Sequence, residues 1–312
     1  MHKNTTLLIS LGVLLLLIAG TWWAGRPSET SIVGYDLLEL SDTTKISRIE
    51  MISPENSVVL SKANDKWLVN GKYKVDRSIR NFLVGVLKLV RVKREVGPSQ
   101  LAEVRQWMAT GRKVIISGEQ GVLAEFTAAG NPSKTESYFT VTGDSKVYQV
   151  ELPGFPNYVS GIFEFTENQW RNRLLFSSDW RSIQSLTVDY ADDQKEDVTI
   201  AFDKTTLKVV NLPEADTLVL ENYIQQYESF FTNEFISKGQ IPVYDSLMDA
   251  TPVATIRLRD IDSAKNTELD VYPGPADQPY VLLKDEAGNY SVCDAGRIRS
   301  LLISMEDLRP KN

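Results

Sequence analysis

Apolar residues fall along this chain in three patterns. From Leu7 to Trp23 they run almost unbroken, LLISLGVLLLLIAGTWW, seventeen residues without a charge. From Ile46 onward they alternate with polar residues in short stretches divided by turn signals, the period of half-buried strands. In two places the period lengthens to that of a helix face: Ile79, Phe82, Leu83, Val86, Leu87 and Val90, and later Leu220, Tyr223, Ile224, Tyr227, Phe230 and Phe231. An aspartate precedes each helical pattern, Asp76 and Asp216, as an N-cap would. Shorter helices are predicted over Pro98–Ala109 and 243–248.

The alternating stretches come twice. ISRIEMISPENSVVLSKANDKWLVNGKYKVD starts at Ile46, and IQSLTVDYADDQKEDVTIAFDKTTLKVV starts at Ile183, 137 residues later. Turns are predicted at Asn64-Asp65 and Asn70-Gly71, where both residue types tolerate positive φ, and at Ala191-Asp192-Asp193 and Asp203-Lys204-Thr205. After the helices, strands return in both halves, with Tyr138 and Tyr280 offset by 142 residues. Similar offsets at both ends predict a tandem duplication. The expected class is α+β: an N-terminal transmembrane helix, then two repeats of antiparallel sheet with amphipathic helices. The expected division is a transmembrane segment over 1–25, a tether over 26–45, a first repeat over 46–160, a joint over 161–182 and a second repeat over 183–312. The aromatics between Phe155 and Trp180 are expected to pack where the halves meet.

The first apolar run carries the cellular setting. Residues 5–24 would make a helix about 30 Å long, the depth of a bilayer core. Trp22 and Trp23 close it where an interfacial aromatic belt would lie. Two tryptophans occupy the place where signal cleavage needs small residues, so a retained single-pass anchor is expected in the inner membrane. A short tail before such a run stays inside, which places the soluble domain in the periplasm. A flexible tether of twenty residues would reach about 25 Å.

Composition then removes chemistries. The single histidine, His2, precedes the foldable part, and Cys293 is the lone cysteine, so no internal disulfide can form. Ser-His-Asp and Cys-His catalysis, histidine metal sites and cysteine clusters are thereby excluded from the folded part. A formal charge of −7 argues against a nucleic-acid partner. No G-x-S-x-G, Walker A or G-x-G-x-x-G motif occurs, so neither a cofactor nor an enzymatic role is expected. The acidic run Asp189 to Asp197 lacks EF-hand spacing and reads as a turn rather than a metal site. Cys293, in an alternating strand, reads as a buried thiol.

Two groups of residues remain as binding candidates. Arg77, Arg80, Lys88 and Arg91 fall within about 80° on a helical wheel and form a basic stripe in an acidic protein. Trp170 offers a stacking surface, with Arg171 and Arg173 beside it able to grip a carboxylate. Each has a plainer reading: a solvated helix face, a core tryptophan, and arginines bridging the halves.

Several segments together resemble a known bacterial family: the anchor, SDTTKISRIEMIS, NDKWLVNGKYKV, VYQVELPGFPNYV and NQWRNRLLFSSDWRSIQSLTVDY. They are similar to the domain-of-unknown-function family numbered 4340 in its membrane-anchored, Bacteroidota-like form. The resemblance covers most of Asp42 to Tyr190 and the last third loosely. Trp67 to Tyr73 and Trp170 to Arg173 are its most specific parts. It brings no catalytic residues, and some members are encoded beside transporters of the gliding-associated type. The expectation is a periplasmic binding or scaffold protein, an accessory subunit of an envelope complex with a membrane-protein partner. The alternatives are a ligand or polymer binder using a groove between the halves, or a carboxylate-based polymer hydrolase.

Overall fold

The structure is a computed structural model and describes residues 36–310 apart from 39, 41, 155–157, 204–205 and 276–277. The expected transmembrane segment, residues 26–35 of the expected tether, part of the aromatic joint and the Lys204-Thr205 turn lie outside the described residues. Among the described residues no helix is long and apolar enough to cross a membrane. The fold is mixed α+β built on large antiparallel sheets.

The chain divides into two units, and not where a sequential reading divides it. The first holds described residues of 36–61 and 81–164; the second holds 62–80 and those of 165–310. The chain therefore enters the second unit, returns to the first, and then leaves it for good. Strands β1 (Ile46–Ile52) and β2 (Ser57–Ala63) open the fold, and β3 (Lys66–Val69) and β4 (Tyr73–Lys74) follow as a hairpin inside the second unit. Its turn is the predicted one, with Asn70 and Gly71 at φ 51° and 70°.

Helix α1 (Arg77–Leu89), whose first turn counts with the second unit and the rest with the first, starts under Asp76, whose Oδ1 accepts from the N–H groups of Ser78 and Ile79 at 2.9 and 3.1 Å. Then come β5 (Arg91–Glu95), α2 (Pro98–Ala109), β6 (Arg112–Gly118), β7 (Gly121–Gly130), β8 (Ser137–Val141) and β9 (Tyr148–Glu151). Antiparallel pairing sets the order β2-β1-β6-β7-β8-β9-β5. Leu83, Val86, Leu87 and Val90 are buried, but Phe82, which shares their periodicity, is 47% exposed. Leu37, Leu38 and Leu40 are buried as well, so the packed part begins upstream of Ile46, inside the expected tether. Their apolar side chains have more to gain from the core than from solvent.

The second unit adds α3 (Glu167–Trp170), β10 (Leu174–Phe176), β11 (Ile183–Tyr190), β12 (Val198–Asp203), β13 (Thr206–Val209) and α4 (Thr217–Gln225). Next are β14 (Phe230–Phe231), β15 (Glu234–Ile236), α5 (Pro242–Asp245), β16 (Ala254–Asp260), β17 (Thr267–Val271), β18 (Tyr280–Asp285), β19 (Tyr290–Asp294) and α6 (Ala295–Leu301). Its sheet runs β13-β12-β11-β16-β17-β18-β19-β15. Helix α4 stops at Gln225, so Tyr227, Phe230 and Phe231 are not on it, contrary to their spacing. Phe230 and Phe231 pair with β10 instead, where backbone ladder bonds replace helical ones.

The two sheets correspond strand for strand. Seven strands, β2-β1-β6-β7-β8-β9-β5, match β12-β11-β16-β17-β18-β19-β15 in order and sense. The irregularities match too. The β1/β6 register shifts between Ile46 and Arg48, and the β11/β16 register shifts between Ile183 and Ser185. Asp216 caps α4 through the N–H groups of Leu218 and Val219, as Asp76 caps α1. Helices α2 and α5 both begin at proline.

Candidate functional site

The predicted basic stripe does not form as one helical face. Arg77, Arg80 and Lys88 lie on α1, but the helix ends at Leu89 and Arg91 opens strand β5. Val90 and Val92 are buried on either side of Arg91, the period of a strand, and Lys93 and Arg94 are both exposed where the register against β9 shifts. The Arg91 guanidinium turns back onto the end of α1 and donates to the Lys88 and Val90 carbonyls at 3.0 and 2.9 Å. Asp36 stands 3.8 Å from it. Arg91 thus serves a helix C-terminus, where a cation is favoured. Arg77 and Lys88 are exposed, and Arg80 is partly buried.

The second group separates into three fates. Trp170 is fully buried and packs edge-on to Phe165 at 5.7 Å, so it cannot stack on a ligand. Its indole Nε1 has no hydrogen-bond partner among the described residues, which costs about 1–3 kcal/mol. Arg173 is exposed and donates to the Asn233 carbonyl at 3.1 Å. Arg171 is the residue the fold treats as special.

Arg171 is buried, only 6% exposed, yet makes no ion pair among the described residues. Its Cζ lies 3.7 Å from the Tyr73 ring centroid and 3.6 Å from the Phe235 ring centroid. Two rings cannot share one face of a guanidinium at such distances, so each takes one face. One of its N–H groups reaches Asn168 Oδ1 at 3.3 Å, a long bond. Each ring contributes about 0.5–2 kcal/mol of cation–π attraction, while taking a charge out of water costs several. The two rings therefore offset the burial only in part. Burial accordingly lowers the Arg171 pKa from its ordinary value, with Tyr73, Asp285 and Glu167 acting in the opposite direction.

Chain elements distant in sequence build this arrangement. Tyr73 is presented by the Asn70-Gly71 hairpin, and its hydroxyl donates to Asn289 Oδ1 at 2.9 Å. Val75 bridges to Arg171, the Asp76 N–H donates to the Trp170 carbonyl at 2.8 Å, and the Asn172 N–H donates to the Lys74 carbonyl at 2.7 Å. Phe235 comes from β15. Together they line a cavity of about 370 Å³ with Lys72, Lys74, Lys265 and Asn172. Two of the three acids on its wall are engaged. Glu268 pairs with Arg257 at 2.9 Å, and the Asp285 carboxylate accepts from the Asn289 backbone and side chain at 2.8–3.0 Å. The site can hold an anion against a preorganised arginine; it shows no nucleophile aligned with a base.

The sequence did not single out Phe235, and it marked Tyr73 only as the end of the segment from Trp67. The readable signal was local: a hairpin turn that must carry something at its end, followed far away by a tryptophan-arginine pair. The first unit has its own cavity of about 460 Å³, lined by Trp107, Arg112, Asn131, Lys134, Tyr158 and Glu164. There the Tyr158 hydroxyl donates to Glu164, whose other oxygen takes Lys134 at 2.8 Å. A methyl on Gly130 would meet the Tyr158 ring, so the strand backbone must be bare at that point. In the acidic turn, Asp189 is paired with Arg257, and Asp192 and Asp197 accept from the backbone N–H groups of Gln194 and Tyr190. Cys293 is fully buried, which pushes its thiol up to about 11. No family model, no curated protein and no solved structure matches the chain.

Proposed function

We propose that this chain is a single-pass, membrane-anchored binding protein of the bacterial envelope. Its apolar residues 5–24 hold it in the inner membrane, and its two sheet units stand in the periplasm. It acts as an accessory subunit of an envelope complex, in keeping with its resemblance to family 4340. The two units are copies of one ancestral unit, a reading supported by the shared strand order and by register shifts at the equivalent positions Ile46 and Ile183. The copies have diverged in what their cavities present. The observation that carries the binding reading is Arg171, a buried cation with no ion pair among the described residues, facing a cavity in the second unit.

The test uses the full-length chain extracted in mild detergent, followed by mass spectrometry of what accompanies it. The expected result is a stoichiometric membrane partner whose recovery falls several-fold when Arg171→Met is substituted. A solitary wild-type protein would overturn the accessory-subunit reading.

A further inference from the structure

We infer that the Arg171 cavity recognises a carboxylate, taken edge-on in the plane of the guanidinium. The inference rests on the binding reading above and names the chemistry of its ligand. The geometry narrows the ligand stepwise. Tyr73 and Phe235 cover the two faces of Arg171, so only its edge can meet a ligand. That edge carries five N–H donors in a flat fork, of which one is used, at 3.3 Å, by Asn168. A flat fork matches a flat two-oxygen acceptor with two parallel hydrogen bonds.

The rings fix the plane of the fork. A carboxylate can lie in that plane with both of its oxygens on the fork. A tetrahedral anion can place only two of its oxygens there and leaves the others without a partner on the fork. The surroundings favour a negative ligand of low charge. Lys72, Lys74 and Lys265 join Arg171 on the cavity wall against Glu268, Asp285 and Glu286, and Glu268 shares Arg257 with Asp189. Lys72 itself sits 4.6 Å from the Tyr73 ring centroid, which brings a second cation to the same aromatic side chain. The cavity of about 370 Å³ has room for a side chain or a chain terminus behind the carboxylate. An acidic peptide segment or a chain end is the kind of group that fits.

The experiment is a titration of the full-length protein in detergent micelles, with nitrogen-labelled arginine followed by NMR. Glutarate is the probe carboxylate and inorganic phosphate the competing tetrahedral anion. The expected result is a saturable shift of the Arg171 Nε–H signal with glutarate, and binding at least tenfold weaker for phosphate. Arg171→Lys keeps the charge but loses the fork, and should weaken glutarate at least tenfold while bringing the two anions closer together. The wild-type preference is read without any variant, so a poorly folding Arg171→Lys protein would not blunt the test. Equal binding of the two anions, or no shift with glutarate, would overturn the carboxylate assignment. If glutarate is silent while the membrane partner is still captured through Arg171, only the ligand class is wrong. If the partner is absent too, the binding reading falls with it.

Discussion

Asp260 shows how much one side chain can be asked to do in this fold. It is 3% exposed at the end of β16, where Ser182 Oγ donates to Oδ2 at 2.7 Å and the Asp262 N–H donates to Oδ1 at 2.8 Å. Burial alone would raise its pKa, but these hydrogen bonds outweigh burial and hold the carboxyl below its ordinary value. A carboxyl lowered in the folded state contributes stability above its unfolded pKa of about 3.9 and loses that contribution as pH falls through its folded value. Asp260→Asn should therefore cost about 1–3 kcal/mol at neutral pH, and the gap to wild type should narrow below about pH 4. Urea denaturation at a series of pH values measures this. A gap independent of pH would mean that the charge on Asp260 is not what holds the turn. Arg171 is the opposite case, a buried charge covered by two aromatic rings instead of an ion pair.

Among the elements, the caps were legible and the ends were not. Asp76 and Asp216 announce helices because a short acceptor before an apolar 3.6-residue pattern satisfies orphan N–H groups wherever it occurs. Asp216→Ala should cost about 0.5–2 kcal/mol through the loss of its bonds to Leu218 and Val219, read as a lower urea midpoint with an unchanged slope. An unaltered midpoint would show that α4 is held by packing alone. The helix ends eluded the pattern because the apolar period runs on past them. Arg91 and Phe230 could continue a helix on periodicity, and strand partners claim them instead: β9 for the one, β10 for the other. Such partners lie far along the chain, so no window of sequence contains the contest. The same limit hid the Arg171 site, whose aromatic walls come from β4 and β15. The Asn70-Gly71 turn was readable because positive φ is a property of those two residues alone.

At the scale of the whole molecule, the offsets of 137 and 142 residues foreshadow the shared strand order, but the threading was not legible. A sequential cut places residues 62–80 with the first unit, whereas they complete the second. A fragment spanning 165–310 therefore lacks the hairpin that bridges Arg171 through Val75 and binds the Trp170 and Asn172 backbone. Expressed alone it should be poorly folded, and a peptide of residues 62–80 added in trans should raise its melting temperature. A fragment that melts like the intact protein, with no response to the peptide, would show that the hairpin is dispensable.

That threading also fixes an order of events on the ribosome. Tyr73 emerges 162 residues before Phe235, a wait of roughly 8–30 s at ordinary rates of synthesis. During that interval the Tyr73 ring waits for the partners of its pocket, first Arg171 and then Phe235. The first unit can finish earlier, since its last described residue is Glu164. A nascent chain halted between the two moments would hold a completed first unit and an unbuilt pocket. The Arg171 cavity is thus incomplete until translation has passed Asn289, the last residue of its lining.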